Sequence, residues 1–344
     1  MNTIIVVVIF VILFGISLIV IFLKKHGKIS EYIDTFEIPT TIVSFKIPEK
    51  INKKYKIFNP SLVKFGRDMI VVVRAEYFYS VNEKIQGAIN NDPFPLRKKN
   101  NLLLYKIENC DFRKTPLQLS LQFEQKNIMD SFNLGFEDPR VFIRKDSLYA
   151  LVSYYAYQKN VNVYCVKISD NLQSISTMFH PTNQYIEKNW NPFIPEKDLF
   201  VKMINPHQVI HINFETGLTN LLFSTESKKL SEKYPGNFCL RGSSKYIETD
   251  MGYLSIGHVR IEENGKLFIY YFNICYLVNK EPPYNILSFS EPFRLTKNYH
   301  IEFVSGIELV DDNVWIAYGL EDENAQISIV PIATMLDLAI QNIA

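Results

Sequence analysis

Two adjacent carboxylates, a proline and an arginine form the most chemically suggestive stretch of this 344-residue chain. Glu137 and Asp138 precede Pro139 and Arg140, and an apolar run begins directly afterwards. A carboxyl group can act as a general acid if its neighbours hold its pKa near neutral pH, and a guanidinium can bind a substrate oxygen. Glu137 would raise the pKa of Asp138 and Arg140 would lower it, so the sequence leaves its protonation state open.

A structural explanation competes with the catalytic one at the same residues. Asp-Pro is common in turns, where the carboxylate caps the backbone. Glu137 and Arg140 would serve equally well as an ion pair between neighbouring structural units. Asp138 is therefore both the candidate catalytic residue and a candidate turn residue.

The turn at Pro139 belongs to a repeat. Similar short polar or small-residue turns, each followed by a β-type segment, occur at Asn59-Pro60, Asn191-Pro192, Arg241-Gly242-Ser243 and Ser305-Gly306. Strands recurring at a long period indicate an array of small sheets, and units of roughly 60 residues accommodate a four-stranded blade of about 40 to 45 residues plus loops. We therefore predict an all-β fold, a five-bladed β-propeller over residues 57–332.

In a propeller the innermost strand of each blade lines a central channel, so equivalent turns meet at one face. This predicts that Asn59, Asp138, Asn191, Arg241 and Ser305 surround a common depression. Polar residues at inward-facing turns indicate a bound ligand or ordered water, because a buried polar group without a partner is costly.

The N-terminal segment has a different composition. Ile4 to Leu23 is an uncharged apolar run of 20 residues, the length with which an α-helix crosses a hydrocarbon core of about 30 Å. We predict a transmembrane anchor with its basic flank over residues 1–28; a cleaved signal peptide is the alternative, although its apolar core is normally only about 7 to 15 residues. Lys24, Lys25 and Lys28 follow the run, which favours a cytoplasmic position for the large domain over a lumenal or extracellular one.

Two further segments flank the predicted propeller. Residues 29–56 form a lead-in, and the β-type run from Thr41 to Ile47 is the predicted closing strand. At the other end, residues 333–344 carry Met335, Leu336, Leu338 and Ile340 at helical spacing, which predicts a terminal helix packed on the outside.

Composition narrows the classes of function. A net charge of +1 with 21% charged residues argues against a nucleic-acid partner, while 14% aromatic residues favour a large β core and carbohydrate contacts at exposed rings. The four cysteines form no Cys-x-x-Cys pair, so no zinc site, other metal or cofactor is predicted. They are expected to be buried residues or free thiols, with disulfides open if the domain is exported.

The order of residues along the chain resembles a known family. Glu137-Asp138-Pro139-Arg140 is the sharpest match; Phe58-Asn59-Pro60, Arg74, Gly257-His258, Tyr318-Gly319 and Asp322 accompany it in order. This pattern is similar to the five-bladed β-mannoside phosphorylases and hydrolases of glycoside hydrolase family 130, whose fold β-1,2-mannosyltransferases share. The resemblance implies that Asp138 donates a proton and that the sugar site is lined by Asn59, Arg74, Arg140, His258 and Asp322.

The chain also departs from the family pattern. Asn205-Pro206-His207 stands where phosphorolytic members commonly carry an arginine. Phosphate is bound more weakly when this guanidinium is missing. A divergent member is therefore expected, and a phosphorylase is disfavoured.

Further candidate substrate contacts are Glu137, Asn191, Arg241 and Trp190. For Trp190 and His258 the residue types favour packing in the core or channel over ligand contact, and the second carboxylate that an enzyme needs is Asp322 or Glu308.

The leading hypothesis is a membrane-anchored carbohydrate-active enzyme that acts on a β-mannoside or similar glycoside by transfer or hydrolysis. Asp138 is the general acid in this hypothesis. The alternative is a non-catalytic propeller that binds a glycan or a protein in the same funnel. The two differ in whether Asp138 and a second carboxylate share one pocket.

Overall fold

The computed structural model describes residues 38, 40–43, 55–80, 96–119, 122–123, 135–155, 161–179, 188–234, 238–263, 268–297 and 299–344. The candidate anchor from Ile4 to Leu23 and its basic flank lie outside these residues. Within the described ranges, no helix combines the length and the hydropathy needed to cross a membrane.

The described chain is mostly β-strand. Strand β1 (Thr41–Val43) comes first, and the other strands form successive sheets that we call blades 1 to 5. Blade 1 contains β2 (Lys56–Phe65), β3 (Asp68–Ser80), β4 (Leu96–Ile107) and β5 (Leu117–Leu119). Blade 2 contains β6 (Gln122–Phe123) at its edge, then β7 (Gly135–Arg144), β8 (Ser147–Tyr155), β9 (Val161–Ile168) and β10 (Ser174–Phe179). One parallel residue pair, Asn100 with Gly135, joins these two blades.

The remaining blades follow in chain order. Blade 3 contains β11 (Asn191–Ile194), β12 (Leu199–Met203), β13 (His207–Ile212) and β14 (Thr219–Thr225). Blade 4 contains β15 (Phe238–Gly242), β16 (Ile247–Thr249), β17 (Gly252–Glu263), β18 (Phe268–Val278) and β19 (Ile286–Phe289). Blade 5 contains β20 (Glu302–Val310), β21 (Asn313–Leu320) and β22 (Asn324–Pro331). Short 3-10 turns lie at Glu108–Cys110 and Pro195–Lys197.

Two helices are described. Helix α1 (Lys228–Lys233) begins at Ser227, whose hydroxyl accepts a hydrogen bond from the Leu230 amide. Helix α2 (Ile332–Ala339) follows β22 and buries Met335 and Leu338. The helix was expected to reach residue 344 but ends at Ala339, because the next residues form β23 (Asn342–Ile343) and pair with β19 in blade 4.

The hydrophobic core is divided among the gaps between blades. Each of the five clusters in the described chain joins two blades: Val72 with Val141, Phe142 with Phe200, Val201 with Val259, Leu254 with Ile316, and Ile327 with Ile57. The last pair joins blade 5 to blade 1, so the sheets form a closed ring. This is the arrangement of a five-bladed β-propeller.

Strand β3 contains a continuous apolar run because both of its faces are buried. Val71, Val72 and Val73 are all fully buried. Alternate side chains of a strand point to opposite faces, and here Val71 and Val73 pack towards blade 5 while Val72 packs towards blade 2. A strand covered on both faces needs no polar alternation.

Strand β1 completes blade 5 from the other end of the chain. It pairs antiparallel with β22, with Thr41 opposite Ile329 and Val43 opposite Ile327. The run from Thr41 to Ile47 was predicted as the closing strand, and its first three residues occupy that position. The edge of β22 is thereby paired rather than exposed.

Four of the five repeated motifs are bulges within inner strands rather than turns before them, while the blade 4 motif lies at the end of β15. The register shifts between Phe58 and Ser61 in blade 1, and between Glu137 and Arg140 in blade 2. Similar shifts occur between Val304 and Gly306 in blade 5 and near the start of β11. In blades 1 and 2 the bulge contains Pro60 or Pro139, which has no amide hydrogen for the ladder, so pairing slips past it.

Three cysteines are free thiols: Cys110, Cys165 and Cys275. Cys165 and Cys275 are buried, and burial raises the pKa of both thiols well above the ordinary value. The side chain of Cys239 lies outside the described atoms.

Candidate functional site

Bulges in two adjacent blades bring Asn59 and Asp138 together. Both residues have a backbone φ of 48°, in the left-handed region that asparagine and aspartate tolerate better than most residues. Asn59 Nδ2 donates a hydrogen bond to Asp138 Oδ1 at 2.7 Å. The repeat therefore places two equivalent residues of blades 1 and 2 in direct contact.

Arg74 is the centre of the charged cluster. It lies on β3 opposite Phe58, and its guanidinium sits 4.6 Å from the centre of that ring. Its Nη1 donates to Asp138 Oδ1 at 3.1 Å and its Nη2 donates to Glu137 Oε1 at 2.7 Å. Its Nε donates to Asn100 Oδ1, whose amide group donates in turn to Glu137. One guanidinium thus orients two neighbouring carboxylates.

The bulge explains how both carboxylates reach Arg74. Adjacent residues of a regular strand point to opposite faces, which would separate the side chains of Glu137 and Asp138. The register shift after Glu137 re-aims Asp138. A third carboxylate, Glu76, lies 3.4 Å from Arg74 Nη2.

These contacts decide the protonation state that the sequence left open. Burial alone would raise the pKa of Asp138, but the charges of Arg74 and Lys188 and the hydrogen bond from Asn59 lower it to about 2. Asp138 is therefore ionised at neutral pH. Both hydrogen bonds go to Oδ1, and Oδ2 accepts none from the described residues. The two oxygens of this carboxylate are therefore held differently by the described residues.

Arg140 is fully engaged by protein groups. Its Nε donates to the Ser243 carbonyl at 2.9 Å, its Nη1 to the Asp138 carbonyl at 2.8 Å and its Nη2 to Asn189 Oδ1 at 2.9 Å. The side chain is only 2% exposed, and burial lowers its pKa to about 10, which leaves it charged at neutral pH. Arg140 connects blade 2 to blades 3 and 4 and supports the backbone of Asp138.

His258 lies on the blade 4 side of the same cluster. Burial, together with the charges of Arg140, Lys188 and Arg241, lowers its pKa to about 3, so the imidazole is neutral. The ring stacks on Tyr271 at a centroid distance of 5.1 Å. Sequence reasoning left His258 open as a site or channel residue, and the structure places it beside the charges of the site.

Arg241 and Asp322 lie at the exposed rim. Arg241 is paired with His258 in the β15–β17 ladder, and its side chain is exposed. Asp322 is also exposed, and its charge contributes to raising the pKa of Arg74 above the ordinary value despite burial. Both residues therefore lie at the surface, beside the buried cluster.

Asn191, Ser305 and Trp190 do not belong to an open surface. Asn191 is fully buried against Gly242. Ser305 donates a hydrogen bond to the Pro60 carbonyl at 2.8 Å. Trp190 is 2% exposed in the cluster between blades 2 and 3, so the prediction that it contacts a substrate is wrong: its ring packs in the core.

Glu308 lies at the other end of the channel. It is paired with Lys245 at 2.6 Å, and its carboxylate accepts a hydrogen bond from the Lys64 amide at 2.8 Å. These residues line a cavity of about 200 Å³ together with Phe142, four positions beyond Asp138 along β7. The expectation that Glu308 could be the second carboxylate is wrong, because the inner strands carry it away from Asp138.

Several other members of the cluster were not predicted from the sequence. They are Glu76, Asn100, Asn189 and Tyr271. Asn100 and Glu76 face each other across the β3–β4 ladder. Only the register of that pairing, which no motif marks, would have revealed them.

Similar solved structures share this fold at low identity. A β-1,2-mannobiose phosphorylase from Listeria innocua, solved with β-1,2-mannobiose, has a TM-score of 0.58 and 13% identity over 83% of this chain and 93% of its own. A second similar structure has a TM-score of 0.57 and 12% identity over 84% of this chain and 87% of its own. It comes from work on the GH130 family of mannoside phosphorylases, which contains hydrolases that target β-1,2-mannosidic linkages in Candida mannan. A mannose phosphorylase from Leishmania mexicana, in complex with phosphate ion, has a TM-score of 0.54 and 11% identity over 93% and 96%.

No family model and no curated protein matches the chain. The structures that resemble it are GH130-type mannoside phosphorylases and glycosidases, in agreement with the resemblance of its residue order. At this level of identity, the likeness establishes the propeller fold.

Proposed function

We propose that this chain is a carbohydrate-active enzyme that acts on a β-mannoside or a similar glycoside by glycosyl transfer or hydrolysis. The observation that carries the proposal is Asp138, whose Oδ1 is held by Asn59 and Arg74 while Oδ2 is left for a ligand. The similar structures act on β-mannosidic compounds, which supports a sugar as that ligand.

The ionised state of Asp138 shapes the mechanism. With a pKa of about 2 in the unbound protein, the carboxylate first accepts a hydrogen bond from a sugar hydroxyl at Oδ2. As the sugar binds and displaces water from Oδ2, the pKa of Asp138 rises and the carboxylate takes up a proton from the solvent. That proton then passes to the glycosidic oxygen, which leaves as a hydroxyl group rather than as an alkoxide.

Asp322 is the second carboxylate in this proposal. It lies at the exposed rim, and its charge acts on Arg74. A carboxylate at the rim can accept the proton of an attacking water or acceptor hydroxyl. Glu137 is less suited to that task, because Arg74 and Asn100 both donate to its Oε1.

The membrane anchor remains part of the proposal. Ile4 to Leu23 would cross the membrane, with Lys24 and Lys25 and the propeller on the cytoplasmic side. Protease treatment of sealed vesicles tests this topology. A propeller protected on the lumenal side would contradict it.

The activity is tested with the full-length protein in detergent, given β-1,2-mannobiose and other β-mannosides. Water, inorganic phosphate and a nucleotide-activated mannose serve as the second substrate in separate reactions. We expect product with water or the activated sugar, and Asp138→Asn should lose a factor of about 10² to 10⁴ in rate. Asp146→Asn is the matched control, since Asp146 is an exposed carboxylate at the opposite end of β7.

The outcomes separate the alternatives. Product with phosphate alone would make the chain a phosphorylase. Glycan binding without turnover in any reaction would support the non-catalytic binding propeller. Unchanged turnover in Asp138→Asn would reduce Asp138 to a structural residue of the bulge.

A further inference from the structure

We propose that Ser243 is a positioning residue that fixes the tautomer of His258, so that the imidazole presents an Nε2–H donor to an oxygen atom of the bound ligand. Ser243 lies in the break between β15 and β16, where the inner strand of blade 4 is interrupted. His258 lies on the adjacent strand β17. The two side chains meet within one sheet.

The geometry holds the imidazole in one orientation. Ser243 Oγ lies 2.7 Å from His258 Nδ1, and the two residues are 0% and 3% exposed. Tyr271 stacks against one face of the ring, and Phe303 meets it edge-on at a centroid distance of 5.0 Å. Aromatic contacts on two sides prevent the ring from turning Nε2 towards Ser243.

The direction of the hydrogen bond follows from what else Ser243 can reach. Within the described chain, His258 Nδ1 is the sole hydrogen-bond partner of the Ser243 hydroxyl, while the Ser243 carbonyl accepts from Arg140. If Nδ1 carried the proton, the buried hydroxyl hydrogen of Ser243 would have no acceptor, which is costly. Ser243 therefore donates to Nδ1, and the neutral imidazole carries its proton on Nε2.

Burial and the charges around the ring keep it neutral. Burial opposes a second proton on His258 most strongly, the charges of Arg140, Lys188 and Arg241 add to this effect, and the charge of Asp138 acts against it. Nε2 makes no hydrogen bond with the described residues. It is thus a fixed donor that requires an acceptor oxygen on the ligand.

Ser243 consequently supports both sides of the site. Its hydroxyl sets the tautomer of His258, and its carbonyl binds Arg140, which in turn holds the backbone of Asp138. The role of Nε2 in ligand binding rests on the function proposed above. The tautomer itself does not depend on it.

Long-range ¹H–¹⁵N spectra of the full-length protein labelled with ¹⁵N-histidine test the tautomer, with His258→Gln assigning the resonance. At neutral pH we expect an unprotonated Nδ1 and a protonated Nε2. Ser243→Ala should shift the signals towards a mixture of tautomers, and Ser243→Thr, which keeps the hydroxyl, should restore them. Ser244→Ala is the matched control, because the neighbouring buried Ser244 hydroxyl bonds Ser255 and the Ile256 amide instead.

The kinetic readout separates positioning from general damage. Ser243→Ala should raise KM for the glycoside about tenfold, equivalent to one lost hydrogen bond, with a smaller change in kcat. Ser244→Ala should leave the KM unchanged even if it lowers the unfolding temperature. A wild-type Nδ1–H tautomer, an imidazolium at neutral pH, or an unchanged tautomer in Ser243→Ala would overturn the proposal.

The wild-type spectrum decides the tautomer even if Ser243→Ala does not fold. If that spectrum is as expected but no glycoside is bound or turned over, the proposed function fails while the Ser243–His258 assignment stands. If glycosides are turned over but Nδ1 carries the proton, the proposed function stands and the Ser243–His258 assignment fails.

Discussion

Asp138 illustrates how strongly a residue's chemistry depends on partners distant in the sequence. Its low pKa comes chiefly from Arg74, which opposes the effect of burial. The adjacent carboxylate Glu137, which from sequence alone would raise this pKa, is itself neutralised by the same guanidinium. The motif identifies the residues, and the β3 strand supplies the charge that controls them.

This arrangement predicts a specific dependence of stability on pH. The pKa of Asp138 falls from 3.8 to about 2 on folding, so its ionised form stabilises the protein above about pH 4, and this contribution is lost as the pH falls through 2. The stability advantage of the wild type over Asp138→Asn should shrink across this window, by an amount on the order of 2 kcal/mol. Urea unfolding of both proteins from pH 6 downwards measures it. A constant difference would show that Asp138 is not held ionised.

Trp190 gives a second prediction at the residue scale. Because the side chain fills the core between blades 2 and 3, Trp190→Ala should destabilise the protein by about 3 to 5 kcal/mol. Glycan affinity, measured by calorimetry well below the unfolding temperature, should stay close to that of the wild type. Weaker glycan binding without a loss of stability would show that Trp190 contacts the ligand after all.

At the scale of elements, the sequence predicted the positions of the repeated motifs but not which of their residues are covered by neighbouring strands. Asn59-Pro60 and Asp138-Pro139 are visible as a repeat, and their equivalence predicted that they meet. The same repeat suggested that Asn191 and Ser305 would be open to a ligand, but both are buried. Neighbouring backbone covers them, and such coverage depends on the tilt of whole strands, which no local pattern records.

Gly319 on β21 is required for the contact between Asn59 and Asp138. A Cβ at Gly319 would lie 2.0 Å from Asn59 Oδ1 and 2.8 Å from the Asn59 amide nitrogen. Gly319→Ala should therefore displace Asn59 and lower both stability and turnover. Gly66→Ala is the control: its Cβ meets nothing within 4 Å, so only the left-handed φ costs about 1 to 2 kcal/mol.

A double-mutant cycle makes this prediction sharper. Adding Asn59→Ala to Gly319→Ala removes the clashing side chain, so part of the lost stability should return. Thermal unfolding of the four proteins of the cycle measures the coupling. Fully additive effects would mean that the two residues do not press on each other.

At the scale of the whole molecule, the ring is closed by strands from opposite ends of the chain. The predicted five-part repeat and closing strand agree with the five inter-blade clusters and with β1 on β22. The position of Glu308 could not be predicted, because distance along the channel depends on where each inner strand starts. The inner strands also separate Glu308 from Asp138.

Removing the closing strand should weaken the entire ring. A chain that begins at Ser44 lacks β1 and exposes the edge of β22, whereas a chain that begins at Ile29 keeps the strand. We expect a lower unfolding temperature and a stronger tendency to associate for the shorter chain, because unpaired edges recruit other strands. Differential scanning calorimetry and light scattering compare the two. Identical behaviour would show that β1 is dispensable.

The hydrogen bonds that build the site also determine when it can form. Asn59 and Asp138 are 79 residues apart, and Arg140 and Ser243 are 103 apart. Contacts between residues so distant in sequence slow folding, because long loops must close before the contacts contribute. During refolding, the strands within each blade should therefore pair early, whereas the ionised Asp138 and its supports assemble only when separate blades dock. Recovery of ligand binding would then lag behind recovery of β-structure.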